Sequence, residues 1–396
     1  IGNYGDEIDN FMWPRHTGDF TLLRAYVGKD GKPAAYSPDN VPYQPPAHLK
    51  MALDGPKTGD YAMLAGYPGI TYRHRTAAEF AGQIDAVLPR RVDVFQQMID
   101  TIEAATAKDA QARTRYASQL QSLKNNRKRA AGELEGLLRS DAKAQRASDE
   151  AAMLQATDAQ YQGDIQALFA SLSQGASVGE RDLLLDLAAS QSQLLRSALM
   201  LERLRIESAK PDAERETGYQ QRDQALIEGT LKQVQRRYAP AVEKALLTNL
   251  LTRYQQLPDA QRVPEFDASF GRTPAALAKA LDTLYASTTL GDEAQRLSRF
   301  AAAKDGKALA ADPLIDLAGP LVAAQLRLED QRKQREGEQL RLRPAYMQAL
   351  FAWRAKQGRA VYPDANRTLR ISYGKVEALS PRDAVHFDPV TTVAGI

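Results

Sequence analysis

The chain has 396 residues, 43% hydrophobic and 26% charged, with 52 Lys and Arg against 49 Asp and Glu. The resulting net charge of +3 is too small to argue for nucleic acid or an anionic membrane surface as a partner, and no apolar run approaches the ~18–20 residues of a spanning helix. Cysteine is absent, which excludes disulfides, thiolate nucleophiles and Cys-ligated metals, while the length predicts two or three domains.

In chain order, the first dense stretch is Asp9 to Phe20, Asp-Asn-Phe-Met-Trp-Pro-Arg-His-Thr-Gly-Asp-Phe. It opens into Phe20–Val27, whose alternation reads as a strand. Polar and aromatic groups concentrated before a strand suit a working site on a rigid sheet; Trp13 and Pro14 equally suit a structural corner. Residues 1–72 read as β-rich, with a turn over Gly28-Lys-Asp-Gly-Lys-Pro33, an extended Pro-rich connector from Asp39 to Pro46, and a second strand over Asp60–Gly66.

From Arg73 the composition shifts to Ala, Gln, Leu, Arg and Glu, the good helix formers. A long helical run is predicted from Pro89 to Gln155, with Gly132 and Gly136 marking a bend. Further runs cover 158–173, 180–209, 211–237, 239–256, 274–287 and 314–357. Pro211, Pro240 and Pro274 suit first turns and Thr273 suits a cap. No a/d heptad survives three repeats, so a compact bundle or curved lid is expected rather than a coiled-coil rod. The basic stretch Arg127-Lys-Arg129 reads as a solvated helix face. After Tyr362 the β pattern returns, over Thr368–Tyr373, with Gly374 turning the chain and Val376 starting another run. The fold class expected is therefore α+β, with a helical insert over 73–362 carried by β segments at 1–72 and 363–396.

The four histidines, His16, His48, His74 and His386, fall in no metal-binding spacing, and neither a phosphate loop nor a dinucleotide fingerprint occurs. No metal and no cofactor is predicted. There is no Gly-x-Ser-x-Gly elbow, so no nucleophile is evident. Among the carboxylates, Asp19 stands at a turn-to-strand boundary, where a short acid can be held to orient a histidine. A turn Asp bonding its own backbone is the other reading. A local His16–Asp19 dyad is disfavoured, because residues three apart in an extended segment face opposite sides.

The stretch from Asp9 to Phe20 closely resembles the signature of the bacterial dipeptidyl peptidase 7 and dipeptidyl peptidase 11 family, serine exopeptidases with a chymotrypsin-like double β-barrel. The resemblance continues through Lys29–Pro33, Asp39–Tyr43, Gly66–Gly69, Ser122–Asn125, Tyr362–Asn366, Thr368–Arg370 and Ser372–Gly374. It implies parts of a double β-barrel interrupted by a large helical cap domain, and a serine-type dipeptidyl aminopeptidase acting on peptides with a free N-terminal amine. It implies Asp19 as the triad acid, with the His upstream of Ile1 and the Ser downstream of Ile396, so that the chain reads as an internal segment. It further implies that Asn10 and Asn125 help to grip the substrate ammonium beside Phe11, which stands where the family usually has Trp. A periplasmic or secreted location and a homodimer follow from the same resemblance. From the residues alone, a non-catalytic helical binding or scaffold protein with β flanks is the competing reading.

Overall fold

The computed structural model describes residues 2–4, 13, 18–51 and 53–392. They divide between two compact units, residues 1–73 with 363–396, and residues 74–362.

The first unit is built from small antiparallel strand pairs. β1 (Gly2–Tyr4) pairs with β2 (Gly18–Phe20), and β3 (Tyr26–Val27) with β4 (Val41–Pro42). β5 (Tyr61–Gly66) pairs with β6 (Arg370–Lys375), and β7 (Leu379–Arg382) with β8 (Val385–Phe387). The expected strand over Phe20–Val27 is broken. Residues 21–25 are irregular, and Leu22 and Leu23 stand 79% and 91% exposed, so their alternation finds no packing partner among the described residues. The turn at 28–33 forms: Gly31 donates to the Gly28 carbonyl at 2.8 Å and has φ +75°, a value that favours glycine. Gly374 does not turn the chain; it lies inside β6, opposite Ala62.

β5 and β6 come from opposite ends of the sequence and meet in full register, from Tyr61↔Lys375 to Gly66↔Arg370. Next to them, Asp364 Oδ1 accepts from the Thr71 hydroxyl (2.8 Å) and from the Arg73 amide (2.7 Å). The Arg367 amide, at a φ of 63°, donates to the carbonyls of Pro68 and Gly69. The two flanks are thus tied through backbone and side chains where the helical residues leave and return.

The second unit is all helical: α1 (Ala77–Gly82), α2 (Leu88–Thr106), α3 (Ala110–Leu138), α4 (Ala142–Gln155), α5 (Ala159–Ser177), α6 (Gly179–Gln191) and α7 (Gln193–Ser208) come first. They are followed by α8 (Gln224–Arg237), α9 (Pro240–Gln255), α10 (Pro264–Phe270), α11 (Pro274–Ser287), α12 (Glu293–Ala303) and α13 (Pro313–Lys356). The predicted run 89–155 is three helices, broken at 107–109 and 139–141 and not at Gly132 or Gly136. Asp109 caps α3 by accepting from the Ala112 amide at 2.9 Å. The run 180–209 breaks where Ser192 caps α7 through the Leu195 amide.

The larger core gathers Val94, Met98 and Ile102 of α2 with Leu184, Leu194, Leu201, Leu250 and Leu321. A smaller one joins Met153 of α4, Ile165 and Leu168 of α5, and Leu342 and Tyr346 of α13. α13, roughly 66 Å long at ~1.5 Å per residue, serves the large core with its first turns and the small core with its last. The polar stretch between the two stations explains why no continuous heptad exists. Its start is fixed by the buried Asp312, which accepts from the Leu314 amide and from Thr288 and Thr289. Burial alone would raise that carboxyl, but these donors outweigh it and hold it below the usual carboxylate range.

Near the small core, Arg343 forms a two-pronged pair with Glu79 at 2.8 and 2.9 Å, while Glu79 also accepts from the Thr76 amide in the capping box of α1. Burial pushes the Glu79 carboxyl up, yet Arg343 and Thr76 bring it below its ordinary value. A depressed carboxylate stabilises the fold above its unfolded pKa of 4.5, and that contribution disappears as pH falls through the folded value. Arg343→Met is expected to cost about 2 kcal/mol at neutral pH and to flatten the acid limb of stability against pH, measured by urea unfolding.

Candidate active site

Asp19 is the middle residue of β2, and its backbone is set by the pairing Asn3↔Asp19 with β1. A strand centre has its backbone held on a ladder, which is how a sheet can present an acid in one place. Asn10 and Phe11, and with them His16, lie outside the described residues. Trp13 of the same stretch has its ring 6.5 Å from that of Phe387, which associates the signature with the β7–β8 hairpin.

That hairpin holds His386, which falls in no recognisable motif. Nδ1 of His386 is 3.3 Å from the Ser380 hydroxyl and Nε2 is 3.4 Å from the Asp388 carboxylate. The order imitates a triad, but with the ring nitrogens exchanged: in the serine-protease arrangement the acid takes Nδ1 and the serine Nε2. The His386 and Asp388 side chains are also 61% and 74% exposed, so water competes for both contacts. These three residues form a surface pair with a neighbouring hydroxyl, not a nucleophilic site.

In the helical unit, Asn125 lies at the middle of α3 and is half-buried. The inward seam of α3 runs through Ala112, Tyr116, Leu123 and Ala130, and Lys124 pairs with Glu103 of α2 at 2.8 Å. Arg127 falls on the same seam, four residues after Leu123 and three before Ala130. Its Nε is buried without a hydrogen-bond partner among the described residues. The expected solvated face over 127–129 therefore holds only in part: Arg129 is exposed, whereas Arg127 and Lys128 are half-buried. Charge composition alone cannot distinguish the two faces of one helical turn.

Asp19 and Asn125 belong to different units. Among the described residues no three His, Asp or Glu side chains gather as a metal site, and no helix is long and apolar enough to cross a membrane.

Comparison with known proteins extends over this whole arrangement. The chain is 38% identical to an Asp/Glu-specific dipeptidyl-peptidase of Shewanella putrefaciens, over 100% of its own length and 54% of the relative's. It is 26% identical to a dipeptidyl-peptidase 7 of Phocaeicola vulgatus, again over its full length and 55% of the relative's. Among solved structures it is similar to Porphyromonas endodontalis DPP11 in complex with the dipeptide Arg-Asp, with a TM-score of 0.71 at 25% identity, covering 100% of this chain and 56% of that one. The chain thus spans about half the length of the curated relatives it matches. The pattern of the peptidase S46 family matches residues 1–396, and the chain belongs to that family.

Proposed function

We propose that the chain is part of a serine-type dipeptidyl aminopeptidase, in which Asp19 is the triad acid and Asn10, Phe11 and Asn125 help to hold the substrate's free N-terminus. The observation that carries this reading is membership of the peptidase S46 family together with the signature at Asp9–Phe20. In this reading Asp19 accepts from Nδ1–H of the catalytic histidine and stabilises the imidazolium formed when serine attacks the scissile carbonyl. The acyl-enzyme then loses the dipeptide to water. Anchoring the ammonium makes the cut fall after the second residue, since two extended residues reach only about 7 Å.

We further infer that the β strands are parts of a chymotrypsin-like double β-barrel. On β5 and β6, Tyr61, Met63 and Leu64 are 67%, 62% and 72% exposed, and Ile371 and Tyr373 are 59% and 76% exposed. A two-stranded ribbon with apolar side chains on both faces is unstable alone, and the added length of the relatives supports further strands covering it. The name of the 38%-identical relative supports a preference for Asp or Glu as the second substrate residue.

The test is dipeptide release by the full-length enzyme. Peptides with a free amine and Asp or Glu second are expected to be cleaved, and their N-acetylated forms are not. Asn125→Ala is expected to raise KM at least about tenfold, the loss of one hydrogen bond to a charged group, with a smaller change in kcat. Equal cleavage of free and acetylated peptides would remove the N-terminal grip, and with it the exopeptidase reading.

A further inference from the structure

Buried apolar side chains divide the helical unit into two lobes. α4, α5 and the last turns of α13 share the small core. α1 is tied to that lobe, because Glu150 of α4 accepts from the Ala77 amide and from the Tyr346 hydroxyl, each at 2.8 Å, and Arg343 holds Glu79. α2, α3 and α6 to α12 share the large core with the first turns of α13.

The chain crosses between these lobes four times, and each crossing is a break or a solvated stretch. α1 reaches α2 through a π-helical turn, Gln83–Val87, in which the Leu88 amide donates to the carbonyl five residues back; such turns are common where helices kink. α3 and α4 are separated at 139–141, and α5 and α6 at Val178, just before Gly179. The fourth crossing is α13 itself. From Asp330 to Arg341 only Arg335 and Gln339 are even half-buried, and no side chain of this stretch joins either core. Gly337 lies within it, and a Cβ there would meet nothing within 4 Å. No close packing therefore requires a glycine at 337, yet glycine weakens a helix interior relative to alanine. α13 is softest where neither core supports it.

Contacts across this waist are weak. Gln339 donates to the Ser171 hydroxyl at 3.4 Å, and the Lys143–Asp85 pair, about half exposed, competes with water. A groove of about 630 Å³ separates the end of α5 from the middle of α13, lined by Gln174, Gln331, Gln334, Arg335, Glu338 and Arg341. A polar, solvated groove can widen or narrow without exposing apolar surface, so bending there escapes the hydrophobic cost of opening a core.

We propose that this waist is a hinge inside the helical unit, centred on Gly337, about which the large lobe swings on the small one. Both passages of the chain to the β unit leave from the small lobe, before α1 and after α13, whereas Asn125 rides on α3 in the large lobe. The bent form, the minor one, admits substrate to Asn125. The hinge follows from the helical unit alone, while its effect on substrate rests on Asn125 as a substrate contact.

The test is pulsed electron paramagnetic resonance on the full-length protein, with spin labels at Gln166→Cys of α5 and Gln233→Cys of α8, both exposed. A main distance and a minor one are expected. Gly337→Ala is expected to lower the minor population about fivefold, the equilibrium equivalent of the propensity difference between Gly and Ala. Gly163→Ala makes the same exchange in α5, away from the waist and again with nothing within 4 Å, and is expected to leave both distances unchanged. A single distance that Gly337→Ala does not alter, or an equal response to the two substitutions, would overturn the hinge. In dipeptide release, Gly337→Ala is expected to raise KM about fivefold at unchanged kcat, because only the bent fraction takes up substrate. An unchanged KM beside an altered distance distribution would overturn the link to substrate. Absence of dipeptide release in the parent would instead overturn the peptidase reading, and the distances would still decide the hinge.

Discussion

Asp19→Asn in the full-length enzyme is expected to lower kcat about 10⁴-fold with little change in KM, the size of loss seen when the triad acid of a serine protease becomes an amide. The reason is a difference between acceptor and donor. A carboxylate accepts a hydrogen bond from Nδ1–H, which leaves Nε2 free to accept the serine proton. An amide can turn its NH₂ toward the ring, which favours the opposite tautomer and provides no charge for the imidazolium. Because that charge exists only as the reaction proceeds, the loss belongs to kcat and not to substrate binding. The substitution is isosteric, and Asp19 is held by its place between Gly18 and Phe20 in β2, opposite Asn3, so the thermal midpoint is expected to stay near that of the parent. Steady-state kinetics on an acidic dipeptide substrate check the result. Turnover within tenfold of the parent would remove Asp19 from the triad.

Local signals were enough where a proline marks the first turn of a helix. Thr273 accepts from the Ala276 amide at 3.2 Å with Pro274 following, and both are visible as a start signal before α11. Pro240 opens α9 in the same way. The caps at Asp109 and Ser192 were not legible. Each sits in a run of helix formers without Gly or Pro, where a capping Asp or Ser looks like an ordinary solvated residue. Conversely, Gly132 and Gly136 cost α3 its intrinsic propensity but do not end it, because Leu123 and Ala130 pack its inner face and packing outweighs propensity.

The candidate site divides along the same line. Asp19 could be singled out because a turn and a strand start surround it, and Asn125 because of the motif Ser122–Asn125. Spacing alone could not show that Arg203 of α7 reaches Glu329, on a helix well over a hundred residues further along the chain. Pairing of charges is decided by tertiary packing, and without it a cationic helix face reads as solvated.

Glu243→Ala is expected to be the most damaging single substitution to the helical unit, costing about 3–5 kcal/mol in chemical unfolding. Glu243 is fully buried and accepts from the Ser192 hydroxyl (2.7 Å), the Tyr285 hydroxyl (2.6 Å), and the backbone amides of Gln193 (2.6 Å) and Leu194 (2.9 Å). Those amides open α7 and have no partner within their own helix. Truncation therefore strands two hydroxyls and two amides in an apolar core and leaves a cavity beside them. Glu243→Gln retains one acceptor oxygen and is expected to lose about half as much, which separates the lost hydrogen bonds from the lost volume. The charge has its own signature. Burial pushes the Glu243 carboxyl up, against the pull of its four donors. An acid with a raised folded pKa binds its proton more tightly in the native state. Its stabilising contribution is full below the unfolded value of 4.5 and is lost as pH rises through the folded value. Unfolding free energy measured against pH is accordingly expected to fall across that window in the parent and to lose this slope in Glu243→Gln. An unchanged slope in the variant would assign the pH dependence to other carboxyls.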